Sequence, residues 1–284
     1  MRLIRAELLK ARRRQATYVM LGVFLGLMGV IYLLAGSAFQ FIGIIDFPVA
    51  YALIGQFAFG LGGLLAVVYA AAFVGADWNW GVLRNVIARG ESRARYLLAK
   101  AVALAILLGI AMLIVFAFGI LMTYVTGLIW GVPVASPLRG SGLVDLVEWL
   151  ALGYPVLIQR AMLGLAVAVV LRSQLAGAVV GIVLYLGEGI IRLMLTGASL
   201  VGRVGQGFED GFQPIGPEWF QYLPISIGDY VVNAAPGGGS SLSGGLEQFL
   251  LKPVPLELAL PTVLIYLVVS LGVAIVALNR QEIT

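Results

Sequence analysis

Neither cysteine nor histidine occurs anywhere in the 284 residues. Without cysteine there is no disulfide framework, no thiol nucleophile and no thiolate-held zinc or iron–sulfur site. Without histidine the usual general base and the commonest metal ligand are missing as well. Zinc-dependent intramembrane proteolysis and most membrane acyl transfer are therefore poor readings. Charge is scarce too: Asp, Glu, Lys and Arg make up 11% of the chain, where a soluble domain carries about 25%. No Gly-x-x-x-x-Gly-Lys-Ser/Thr phosphate loop occurs, and the glycines at 237–239 have no lysine after them. No carboxylates pair at a recognisable catalytic spacing. The absence of a clear internal repeat weakens the case for an inverted-repeat secondary transporter. The chain is expected to carry no catalytic, cofactor-binding or metal-binding residues of its own.

What is abundant is apolar: 61% of the residues are hydrophobic. About 20 apolar residues cross the hydrocarbon core as a helix. Six such runs occur, near 17–38, 48–76, 100–129, 143–171, 174–195 and 256–278. The expected fold is thus an all-α polytopic membrane protein, a single transmembrane domain over 1–284. The second and third runs exceed the needed length, so they tilt or extend past the membrane. The Ala-Gly-Ser-Ala at 35–38 resembles a signal cleavage site, but the apolar run before it is too long for a signal peptide and reads as an uncleaved anchor.

Lysine and arginine orient the spans. One side collects Arg2, Arg5, Lys10, Arg12, Arg13 and Arg14, then Arg84, Arg89, Arg93, Arg95 and Lys100, then Arg172 and Arg280. The other has only Arg139, Arg203 and Lys252, and is acidic at Asp46, Asp145, Glu148, Glu209, Asp210, Glu218, Asp229 and Glu247. The expectation is a cell-membrane protein with both termini cytosolic, as an even span count requires. The net charge of +4 then has a topological meaning, and nucleic-acid binding is an unneeded inference.

Three segments outside the spans carry pattern. Residues 1–15 suit an interfacial amphipathic helix, with Leu3, Ile4, Leu8 and Ala11 to one side and Arg2, Arg5, Arg12 and Arg13 elsewhere. Glu7 and Lys10 add a pair at i,i+3, and the other reading is a plain charged tail. Residues 198–255 form the one long loop, extracytoplasmic on this topology. Its aromatics Trp219, Phe220, Tyr222 and Tyr230 suit an interfacial or re-entrant helix, or a loop folded over the helix ends. Residues 77–99 join the second and third spans on the basic side. Val82, Leu83, Val86 and Ile87 share one side at helical spacing, while Arg84 and Asn85 fall elsewhere. Such a helix suits docking on a soluble partner; the other reading is a basic loop on lipid headgroups.

Within the spans, Arg160, Glu188 and Arg192 stand out. An unpaired charge at the core costs about 2.5–3.5 kcal/mol, so these groups should face protein or water. Arg160 and Glu188 are expected to pair between helices or to line a polar pathway. Glu188 and Arg192, one turn apart, are able to pair with each other, or Arg192 snorkels. The glycines Gly60, Gly62 and Gly63 suit close helix packing.

Taken together, the chain resembles the permease subunits of type-two ABC exporters over nearly its whole length. These permeases often carry an acidic-aromatic-x-x-Gly-Thr-Leu-Arg pattern after the second span, then a short apolar run, Ser-Arg and a closing Gly-Lys. Here the match is Asp77-Trp78-Asn79-Trp80-Gly81-Val82-Leu83-Arg84, then Asn85-Val86-Ile87, Ser92-Arg93 and Ala99-Lys100. Asp77, Val82 and Ala99 depart from the usual Glu, Thr and Gly. Tyr222-Leu223-Pro224 and the tail Asn279-Arg280-Gln281-Glu282 are similar in a weaker way. The resemblance implies a cytosolic coupling helix seated in a nucleotide-binding ATPase subunit. The contact residues carried over are Asp77, Trp78, Gly81, Val82, Leu83, Arg84, Val86, Ile87 and Arg89. It also implies a second permease subunit, identical or similar, with ATP and magnesium held by the partner ATPase. The alternatives are an ion- or proton-coupled secondary transporter using Glu188, and a non-transporting membrane scaffold.

Overall fold

A computed structural model describes residues 2–41, 46–79, 81, 88, 90, 92–137, 140–204, 218–236 and 254–281. These residues are helical with short connections, and no strand occurs among them. The elements in order are α1 (Arg2–Arg13), α2 (Gln15–Phe41), α3 (Ala50–Gly55), a π turn (Gln56–Leu61), α4 (Gly62–Asn79), α5 (Arg93–Trp130), α6 (Gly142–Leu171), α7 (Gln174–Val204), a 3-10 turn (Glu218–Tyr222), α8 (Pro224–Asn233) and α9 (Leu256–Arg280). Six helices are long and apolar enough to cross a membrane, with α3, the π turn and α4 acting as one span. This is a multi-pass membrane protein.

The third span runs longer than its apolar core because capping sets its ends. The third begins at Arg93, seven residues before the apolar run, where Ser92 adopts extended backbone and its Oγ accepts from Arg95 N at 3.3 Å. That bond satisfies one of the first-turn donors a helix leaves open. Its far end stops at Gly131 in the left-handed conformation.

α6 is the hub, packed against α4, α5, α7, α8 and α9. Glycine permits this closeness. A Cβ on Gly164 would collide with the Val67 carbonyl of α4. One on Gly63 would lie 2.5 Å from Arg160 Nη1. Gly60 differs from the packing role expected of it: nothing lies within 4 Å of where its Cβ would be.

Both described termini sit at one end of the bundle. Gln281 Nε2 donates to Val169 O of α6 at 2.8 Å, and Arg93 Nη1 donates to the carbonyls of Leu278 and Gln281 at 2.9 and 2.7 Å. α1 lies across the start of α5 at that same end. The opposite end is closed by α8 and the 132–137 segment. There Trp149 Nε1 donates to Pro236 O at 3.0 Å and Tyr51 OH to Pro137 O at 2.8 Å.

Candidate functional site

The expected docking segment is rooted in the bundle by a buried cluster of four charges. Asp77, at the end of α4, is 1% exposed. Its carboxylate takes Lys10 Nζ of α1 at 2.6 Å and Lys100 Nζ of α5 at 2.5 Å. Tyr96 OH donates to it as well. Lys100, fully buried, also meets Glu7 Oε2 at 3.0 Å, donates to Phe73 O at 3.2 Å and lies over the Phe73 ring. Glu7 and Lys10 approach to 3.9 Å. Two acids and two bases thus cancel, with only Lys10 reaching solvent, which is what makes burial of the other three tolerable. α1 has Ala11 buried with Ile4 and Leu8 half-buried, while Arg5, Arg12 and Arg13 are exposed.

This arrangement gives Asp77 a different place from a contact surface: its carboxylate is consumed inside the chain. Trp78 likewise packs against the core. Beyond them the chain turns at Gly81 (φ 64°) and again at Gly90 (φ 81°), both exposed and both in the region that favours glycine. Val82, Leu83, Arg84, Val86, Ile87 and Arg89 lie outside the described residues.

Toward the other end, Arg160 is fully buried and its guanidinium joins three elements. Nη2 pairs with Asp229 Oδ1 of α8 at 2.5 Å and donates to Ile225 O at 3.4 Å. Nη1 donates to the Phe59 carbonyl of the π turn and to Tyr185 OH at 3.2 Å. Tyr185 OH in turn donates to Gly60 O at 2.6 Å. The π turn rewrites the backbone ladder, and side chains from α6 and α7 take up carbonyls there. Arg192 Nη1 holds the second oxygen of Asp229 at 2.6 Å.

The expected Arg160–Glu188 pair is not formed, whereas the Arg192 charge, one turn along, does act on Glu188 as the spacing suggested. The Glu188 carboxylate accepts from the backbone N–H groups of Ile225, at 3.2 Å, and Ser226. These are first-turn donors of α8, and a carboxylate at a helix N-terminus is favourable. The residue sequence reasoning missed is Asp229, counted only among the acids of the outer side. Its signal was its setting: an acid flanked by Ile225, Ile227, Val231 and Val232 in a segment opened by Pro224 at a helix start. Burial opposes its charge, but the Arg160 and Arg192 guanidiniums outweigh this and hold the carboxyl below the usual carboxylate range. Its side chain is 30% exposed, toward a cavity of about 180 Å³ shared with Gln56, Tyr185, Arg192 and Asn233.

No group of three or more Asp or Glu able to hold a metal occurs among the described residues. The chain matches no family model and no curated protein sequence.

Proposed function

We propose that this chain is the permease subunit of an ATP-driven exporter, paired with a second permease and with two cytosolic ATPase subunits. The segment 77–99 is its coupling element, on the cytosolic side of the cell membrane, with both termini on that side. Contact with the motor falls to Val82, Leu83, Val86 and Ile87, flanked by Arg84 and Arg89. Asp77 and Trp78 anchor the segment rather than touch the partner. ATP and magnesium reside on the ATPase, and this chain supplies pathway and linkage only. Two similar permeases related by a two-fold axis would enclose the pathway between them.

The observation that carries the reading is the buried ionic cluster at the root of the segment. Lys10, Asp77, Tyr96 and Lys100 fasten α1, α4 and α5 to one another where the segment leaves and re-enters the bundle. A push on the segment would therefore move three helices together, as a mechanically driven transporter needs. α8, capped by Glu188 and tied by Asp229, is the re-entrant element on the outer side.

A second reading, an ion-coupled secondary transporter, draws on the small polar cavity beside Asp229. Co-purification separates the two. The exporter reading expects an ATPase with a phosphate loop to co-purify with the chain, and to be lost on Leu83→Glu or Val86→Glu while the permease stays folded. If reconstituted chain alone moves substrate down an ion gradient, with no ATPase bound, the exporter reading fails.

A further inference from the structure

We propose that the groove between α1, α2, α4 and α5 holds one anionic phospholipid, its phosphate at Arg12 and one acyl chain along the groove. This rests on the membrane-spanning fold alone and not on the exporter reading.

The groove encloses about 440 Å³, within the size range of small-molecule sites. Its walls are almost wholly apolar, and the deep end lies at Phe24, Ala58 and Met112. From Tyr69 near the mouth to Ala58 is ~16 Å at 1.5 Å per residue, matching one leaflet, or about half of a ~30 Å hydrocarbon core. Ile106, Ile110 and Ile114, a turn apart on α5, form an exposed rim, so the groove opens sideways, where lipid lies.

The mouth supplies the head-group chemistry. Arg12 lines it from the last turn of α1, exposed and with no ion pair among the described residues. Arg13 is its exposed neighbour. Tyr18, 57% exposed, lines the groove with Arg12 and is an aromatic of the kind that suits the headgroup region. Cations at the edge and an oily slot one leaflet deep complement an anionic head on a hydrocarbon chain. α1 cannot swing away to leave the mouth incomplete, because Glu7 and Lys10 bind it to Lys100 and Asp77.

Native mass spectrometry of the full chain, extracted in mild detergent, tests this. Wild type is expected to retain one phosphatidylglycerol or other anionic phospholipid. Arg12→Glu and the groove-filling Ala111→Trp should each lower that occupancy at least tenfold, whereas Arg5→Glu, on α1 but outside the groove, should keep it. If a variant aggregates, Arg12→Gln or Ala111→Leu replaces it. Titration with dioleoylphosphatidylglycerol should raise the thermal midpoint of delipidated wild type, and dioleoylphosphatidylcholine should not. Retention unchanged in both Arg12→Glu and Ala111→Trp, or lost equally in Arg5→Glu, overturns the proposal. So does a lipid-free dimer cross-linked through the groove, which would make a second copy the occupant.

Discussion

Asp77→Asn should be among the most damaging isosteric changes in this chain, although it removes one charge and no bulk. The carboxylate is 1% exposed and faces two ammonium groups at 2.5 and 2.6 Å. Removing one partner of a buried pair costs about 3–5 kcal/mol, because the other charge is left without compensation. Here the loss is partial. Lys100 keeps Glu7 at 3.0 Å, and Lys10, 25% exposed, turns to water. The expected cost is therefore about 2–4 kcal/mol. Lys100→Met removes the other side. It leaves Glu7 and Asp77 sharing Lys10, and should cost a similar amount. The informative comparison is with the double variant Asp77→Asn/Lys100→Met. Groups in one ionic network couple by about 0.5–3 kcal/mol, so the double variant should be less damaged than the sum of the singles, by at least about 1.5 kcal/mol. Reversible unfolding in mixed detergent micelles measures all four corners of the cycle. Additive singles, or an Asp77→Asn cost below about 1 kcal/mol, would refute the reasoning that these charges stabilise one another in a closed site.

Asp229→Asn should loosen α8 and speed cleavage within residues 218–236 under limited proteolysis, since two guanidiniums lose their shared partner. Because the Asp229 carboxyl is held below its ordinary value, its contribution is present above the unfolded carboxylate range and fades as pH falls through the folded value. Wild type should thus become more protease-sensitive in acid, and Asp229→Asn should show a flatter pH profile. Gly164→Leu should abolish accumulation of folded protein, because its side chain would enter the Val67 backbone; Gly60→Ala, with open space around it, should be tolerated. Ser92→Ala should cost about 1 kcal/mol by removing the cap of α5, read as faster hydrogen exchange at residues 93–96.

The membrane architecture was legible because hydrocarbon imposes one rule on every span. A helix there must be apolar for about 20 residues, and six runs met the rule. Helix ends were less so. Arg93 and Arg95 ended the apolar reading at Lys100, whereas Ser92 starts the helix earlier. The α1 pattern identified its apolar side, and the Glu7–Lys10 spacing proved a real proximity. What the spacing did not reveal was that Glu7 reaches Lys100 and Lys10 reaches Asp77, each more than sixty positions away. The same limit governed Arg160. Local arithmetic offered Glu188 as its mate, since both sit inside spans. The actual carboxylate comes from a ten-residue helix in a segment that has no transmembrane signature. The π turn has no signature in apolar periodicity either, although it supplies the carbonyls that orient Arg160 and Tyr185.

That turn also confines one extra residue to a single place in the span. A π turn amounts to one residue more than an α-helix needs, and each residue rotates a helix by about 100°. Deleting one residue between 56 and 61 would let the backbone relax to ordinary α geometry. The half that follows would keep its phase, because the turn absorbs the extra residue locally, so Asp77 would still meet Lys10 and Lys100. What would go is the pair of carbonyls, Phe59 and Gly60, that the turn releases from the helix ladder for Arg160 and Tyr185: the extra residue is the latch of the outer charged knot alone.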